Sequence, residues 1–196
     1  MNNKYNKVAA TSALVFIALL IYTATINPSD NKEILSLTIL ALVCTSLPFI
    51  ISFIAYKKKL LLPPNFQLFS VLFLFLALYL GEIRNFYNNY WWWDLFLHSL
   101  FGCYIVIVSL HIIKGVIRKE VEITKKRFAL FSIIFASSFT ISLGTLWELF
   151  EFSGDFLFKK EMIKGGLEDT ATDLLVTVGA VFITSLICYK SKYFNL

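Results

Sequence analysis

Seven ionisable residues in the second half of the chain are spaced so that their side chains share helical faces. Asp94 and His98, in WWWDLFLHSLFG, are four residues apart, which sets them on one face with His98 one turn, roughly 6 Å, further along. Gly102 continues that face and lets another helix or a ligand approach the backbone. Glu148, Glu151 and Asp155, in GTLWELFEFSGD, follow a three-then-four spacing, with Gly154 as an alternative helix end before Asp155. Asp169 and Asp173, in GGLEDTATDLLVTVGA, are again four apart, with Gly179 further along a small-residue surface. Carboxylates with one imidazole suit Mg²⁺, Mn²⁺ or Zn²⁺, and a bound cation would neutralise acids that otherwise repel one another. The candidate metal ligands are therefore Asp94, His98, Glu148, Glu151, Asp169 and Asp173. Glu148, Glu151 and His98 are the candidate catalytic groups, with Glu148 or Glu151 as general base. There is no His-Glu-x-x-His, no paired cysteine ligand set and no Ser- or Cys-centred nucleophile motif, so spacing alone does not name a metal.

The elements that must position these groups are set by composition. Of 196 residues, 58% are apolar and 16% charged, and the apolar ones gather into runs near the roughly 20 residues that cross a bilayer. Six such runs cover approximately residues 8–26, 34–56, 66–83, 94–113, 128–149 and 171–189. Each is continuously apolar, whereas barrel strands would alternate every second residue, so helices follow. The expected fold is all-α: one integral membrane domain over residues 1–196, a bundle of six transmembrane helices with Pro48 kinking the second. The first run, preceded by Lys4 and Lys7, is too long for a signal-peptide core and reads as a retained helix. Within the fifth run, Thr145, Gly144, Ile141, Ser138 and Ser137 form a small, weakly polar surface suited to facing other helices. Cys44, Cys103 and Cys188 lie inside spans without paired spacing and read as small buried residues.

Charge then orients the bundle. Lys4, Lys7, Lys57, Lys58, Lys59, Lys114, Arg118, Lys119, Lys125, Lys126, Arg127, Lys190 and Lys192 fall on one side, 13 of the 18 basic residues. The positive-inside tendency puts that side, and both termini, in the cytoplasm. These anchors account for the net charge of +5, so nucleic-acid binding is not invoked. Only Glu120 and Glu122 of the 13 acidic residues share that side. The outer face is acidic.

The Asp94-x-x-x-His98-x-x-x-Gly102 stretch, Trp147-Glu148-Leu149-Phe150-Glu151, and Asp169-Thr170-x-x-Asp173 followed by Gly179-Ala180 resemble the signature blocks of the YjdF-like family of bacterial polytopic inner-membrane proteins. More loosely they resemble VanZ-like proteins. The likeness covers about residues 90 to 181. It implies a small helical bundle in a bacterial plasma membrane with those acidic and histidine positions as a shared polar core, and it supplies no reaction. The sequence KGGLEDT departs from the pattern, placing Glu168 and glycines where relatives tend to carry a further Gly-Asp step.

Plainer readings stand beside these. Trp91, Trp92 and Trp93 with Tyr87 and Tyr90 make an interfacial aromatic belt. Asp169 serves equally as the N-cap of the sixth helix, His98 alone would be a core histidine, and His111 is structural or interfacial. Arg84 pairs with Glu82 or, with Lys159, Lys160 and Lys164, meets a phosphate or carboxylate on a lipid head group. Three functions fit: a metal-dependent enzyme acting on a lipid-linked substrate; a protein that binds or transports a cation, a proton or a small solute; or a non-catalytic structural or accessory protein whose polar cluster only fixes helix packing. The partners common to these readings are membrane lipid and a lipid-linked or small-molecule ligand.

Overall fold

In lipid a backbone N–H or C=O finds no partner but another backbone group, so apolar runs of this length close their own ladders as helices. The computed structural model describes residues 6–26, 32–117, 124–158, 163 and 165–191, and these contain helices and no strands. In chain order they are α1 (Lys7–Ile26), α2 (Lys32–Lys57), α3 (Phe66–Leu74) with its π-helical continuation Phe75–Ile83, the single turn α4 (Phe86–Asn89), α5 (Trp93–Val116), α6 (Lys125–Phe158) and α7 (Leu167–Lys190). Six stretches are long and apolar enough to cross a membrane: Lys7–Ile26, Ile34–Lys57, Phe66–Ile83, Trp93–Val116, Lys125–Leu157 and Leu167–Lys190. The protein is an all-helical polytopic membrane protein.

The distribution of side chains follows the same solvent. Leu146, Phe182 and Ile187 are more than half exposed while Thr140, Asp173 and Thr177 are essentially buried, the reverse of a water-soluble protein. Lipid tails are as apolar as leucine, so large apolar side chains lose nothing by facing outward and small or polar ones take the helix interfaces.

The chain divides into two compact units, Met1–Trp93 and Asp94–Leu196. In the first, Phe16, Leu20 and Ala41 form a core against Leu74, Phe75 and Leu78. Phe75 stacks on Tyr79 with ring centroids 5.3 Å apart, and the Tyr79 hydroxyl bonds that of Thr23 at 3.2 Å. Gly81 leaves the room that the Tyr87 ring fills; a Cβ there would collide with it. The helix runs through Pro48, whose carbonyl accepts the Ser52 hydroxyl at 2.8 Å. Trp91 and Trp92 are exposed as an interfacial belt requires, whereas Trp93 is buried, edge-on to Phe86 at 5.0 Å. Arg84 is exposed where the π-helical turn closes, its backbone N–H donating to Tyr79 at 2.8 Å.

The second unit is built from α5, α6 and α7 around Val106, Leu110, Ala136 and Val181. On α6 the buried positions Ala129, Ser132, Ala136, Thr140, Gly144 and Glu148 form one stripe at three- and four-residue spacing. Ser132 and Thr140 spend their hydroxyls on the carbonyls four residues back, both at 2.8 Å, so the polar groups of this stripe cost little in lipid. Ser137 lies at its edge, bonded to Ser185 of α7 at 2.8 Å.

Several sequence-based expectations change here. The small surface proposed for α6 splits, since Ser138 and Thr145 are exposed while Gly144 is buried. Gly154 does not end α6, which runs on to Phe158. Glycine in a helix costs only about 1 kcal/mol relative to alanine, less than the packed helix recovers. Asp155, within the helix, accepts the backbone N–H of Ile163 with its carboxylate at 2.9 Å. The N-cap of α7 is Gly166, with φ 64° and ψ −138°, a backbone region open essentially to glycine alone. Asp169 therefore sits in the first turn rather than at the cap. Gly179 meets nothing within 4 Å of where a Cβ would stand, so it faces no neighbouring helix among the described residues. Lys159, Lys160 and Lys164 lie outside the described residues.

Candidate functional site

Each of the three helices of the second unit delivers one acid to the same imidazole. His98 is buried six residues into α5, with Asp94 one turn back. Its Nε2 lies 3.7 Å from Asp94 Oδ1, 3.6 Å from Glu148 Oε1 on α6 and 4.0 Å from Asp173 Oδ2 on α7. The other ring nitrogen, Nδ1, lies 3.3 Å from Thr177 Oγ1, one turn beyond Asp173 on the same face of α7. His98, Glu148, Asp173 and Thr177 are all buried.

These separations carry chemical information. Hydrogen bonds to a ring nitrogen do not extend past about 3.5 Å; the Thr177 hydroxyl is within that reach and the three carboxylates all stand beyond it. Two ligands of one metal ion, each about 2.0–2.1 Å from it, are about 3.4 Å apart in a tetrahedron and about 3.0 to 4.2 Å apart in an octahedron. The three His98–carboxylate separations are too long for direct hydrogen bonds and fall within the range that two ligands of one cation can span. Asp94, His98 and Asp173 each present one ligand atom such that all three lie within 4.8 Å of one another. Glu148 lies outside that set of three but within 3.6 Å of His98 Nε2.

Glu148 Oε1 and Asp173 Oδ1 are buried without a hydrogen-bond partner among the described residues. A charged aspartate costs up to about 2.5–3.5 kcal/mol at the centre of a transmembrane helix and less toward its end, where these groups lie. Several uncompensated anions in one buried cluster would draw on the roughly 5–15 kcal/mol by which a protein is stable. A compensating positive charge, proton or metal ion, would relieve this arrangement.

Glu151 and Asp169 are half-buried, and both belong to the same electrostatic neighbourhood: Asp169 acts on His98 and Glu148, and Glu151 feels Glu148, Asp94 and Asp173. All six residues singled out as ligands thus gather at one end of the second unit. Thr177 was missed by sequence reasoning. Its signal was present, as the residue four beyond Asp173, but a threonine inside an apolar run is common. His111 Nδ1 donates within its own helix to the Ile107 carbonyl at 2.9 Å. Cys44, Cys103 and Cys188 are free thiols, the last buried.

Comparison with known proteins adds identity at the level of family. An uncharacterized protein of Thermotoga maritima is 26% identical over 139 residues, which is 69% of this chain and 64% of the relative. The chain thus spans a little under two thirds of that relative's length. No solved structure matches. Residues 8–192 match the family described as "Predicted membrane protein (DUF2238)". With nearly its whole length matched and six apolar helices capable of spanning a bilayer, the chain belongs to this family of predicted membrane proteins.

Proposed function

We propose that this chain is an integral protein of a bacterial plasma membrane, both termini cytoplasmic, that binds a divalent cation at the outward end of its second unit and uses it on a lipid-linked substrate. The observation that carries this reading is the His98 Nε2 ringed by Asp94, Glu148 and Asp173 at 3.6 to 4.0 Å. Asp94, His98 and Asp173 are the ligand set. A single imidazole among oxygen donors suits Mg²⁺ or Mn²⁺ and admits Zn²⁺. Three protein ligands with a further position open is the pattern of catalytic rather than closed structural sites.

A cation held there would supply Lewis-acid polarisation or an acidified water. This chain's own contribution is Glu148, whose unpartnered Oε1 beside the ligands suits a general base, with Glu151 one turn beyond it as a second carboxylate. Asp169 adds negative charge at the same mouth. Arg84, exposed on the first unit, is assigned to a phosphate or carboxylate of a lipid head group, by the geometry of its guanidinium. Cytoplasmic termini rest on the lysine and arginine clusters, and the bacterial membrane on the likeness of residues 90–181 to YjdF-like proteins.

The test is elemental analysis of detergent-purified protein beside a His98→Ala, Glu148→Gln variant of matched melting temperature. Near-stoichiometric metal in the wild type and none in the variant is expected. Metal-free protein in both, even after incubation with Zn²⁺, Mn²⁺ and Mg²⁺, overturns the reading and leaves proton or solute binding, or a packing role, in its place.

A further inference from the structure

Among the described residues, Thr177 is the polar group that meets the Nδ1 side of His98, away from the carboxylates that face Nε2. It is buried to 1% exposure, with its Oγ1 3.3 Å from His98 Nδ1. Two glycines on two other helices face it. A Cβ added to Gly102 of α5 would stand 3.0 Å from the Thr177 carbonyl oxygen, and one added to Gly144 of α6 would stand 3.1 Å from Thr177 Cγ2. Both distances are tighter than ordinary contact, so any larger residue at either position would press on the threonine. The three helices come together here because one residue on each of two of them has no side chain.

We infer that Thr177 is a positioning residue for the cation site: its hydroxyl accepts the Nδ1 proton of His98 and so turns a bare Nε2 toward Asp94, Glu148 and Asp173, from a seat that Gly102 and Gly144 leave open. The inference rests on the cation reading given above. A neutral imidazole carries one proton, and the nitrogen that binds a cation must be the other one. In the buried pocket an Nδ1–H without an acceptor would lose a hydrogen bond just when the metal binds. Thr177 supplies that acceptor, the role that carboxylates or carbonyls behind metal-bound histidines usually fill. The hydroxyl is a weaker partner than a carboxylate, which keeps the site's negative charge on the metal side alone.

The experiment titrates Zn²⁺ into detergent-purified wild type, Thr177→Val, Thr177→Ser and Gly144→Ala against a chromogenic chelator. In parallel, ¹⁵N NMR is recorded on histidine-labelled, Zn²⁺-loaded wild type; the chain has two histidines, His98 and His111, and a His111→Gln variant assigns them. Thr177→Val keeps the shape and removes the acceptor, so Zn²⁺ affinity falls about 10- to 100-fold, the usual cost of losing such a partner. Thr177→Ser restores most of it, Gly144→Ala weakens binding in the same direction, and the spectrum shows His98 protonated at Nδ1. Wild-type affinity in Thr177→Val, or an unprotonated Nδ1 in the loaded wild type, overturns the inference and leaves the cation reading standing. Absence of Zn²⁺ binding from the wild type overturns the cation reading and this inference with it. Should Thr177→Val fail to fold, the serine and Gly144→Ala variants decide: wild-type affinity in Gly144→Ala removes the seat, and weak binding in Thr177→Ser removes the hydroxyl's role.

Discussion

An imidazole nitrogen faced by three carboxylates favours a positive charge between them, and on the proposed cation reading the identity of that charge decides how the protein responds to substitution. Asp173 is the most informative residue to change, because it is buried and its Oδ1 has no hydrogen-bond partner among the described residues. Replacing it with asparagine removes one anion from a crowded, desolvated site. In the presence of chelator, Asp173→Asn is expected to melt higher than the wild type, by relief of like-charge repulsion. Adding Zn²⁺ or Mn²⁺ reverses the order. The wild type gains stability by mass action, about 2.7 kcal/mol at one hundred times the dissociation constant, and the variant gains little. Melting curves with and without metal check this; a variant less stable than wild type in chelator would show that the Asp173 carboxylate serves packing rather than a cation.

Helices approach one another closely only where a side chain is missing. Gly102 and Gly179 illustrate the point, since both sit in apolar helices and both read from sequence as packing glycines. The structure separates them. Gly102 faces the Thr177 carbonyl and the Ala180 Cβ at 3.0 and 3.1 Å from an added Cβ, whereas Gly179 faces open space. A backbone oxygen cannot step aside as a flexible side chain can, so Gly102→Ala is expected to destabilise by about 1–3 kcal/mol, the usual cost of overpacking. Gly179→Ala is expected to be neutral or to stabilise by up to about 1 kcal/mol through helix propensity. The two variants, matched in chemistry and opposite in sign, are compared by thermal unfolding in detergent. Equal effects would mean that helix propensity, not the approach of α7 to α5, governs this interface.

For the whole molecule the testable property is orientation. Thirteen of 18 basic residues fall on one side of a six-span reading, and the proposed topology places Lys58 inside and the WWW segment outside. In intact cells a cysteine at Trp91, which is 83% exposed, is expected to react with a membrane-impermeant maleimide, while one at Lys58 reacts only after permeabilisation. The opposite pattern would invert the proteins's sidedness and move the acidic cluster to the cytoplasmic face.

The six apolar spans, and the acidic and histidine positions that the structure brings near one another, were legible in the sequence, because run length and hydropathy are one-dimensional properties and lipid enforces the helix on each run. The i, i+4 pairs Asp94–His98 and Asp169–Asp173 were legible for the same reason, as local periodicity. Only the tertiary structure decided which of these acids surround one nitrogen, that Thr177 rather than a carboxylate stands behind His98, and that Gly102 but not Gly179 makes room for a neighbour. Those outcomes depend on the rotation of each helix about its own axis. That rotation is set by packing against the other helices, which no single run of sequence contains.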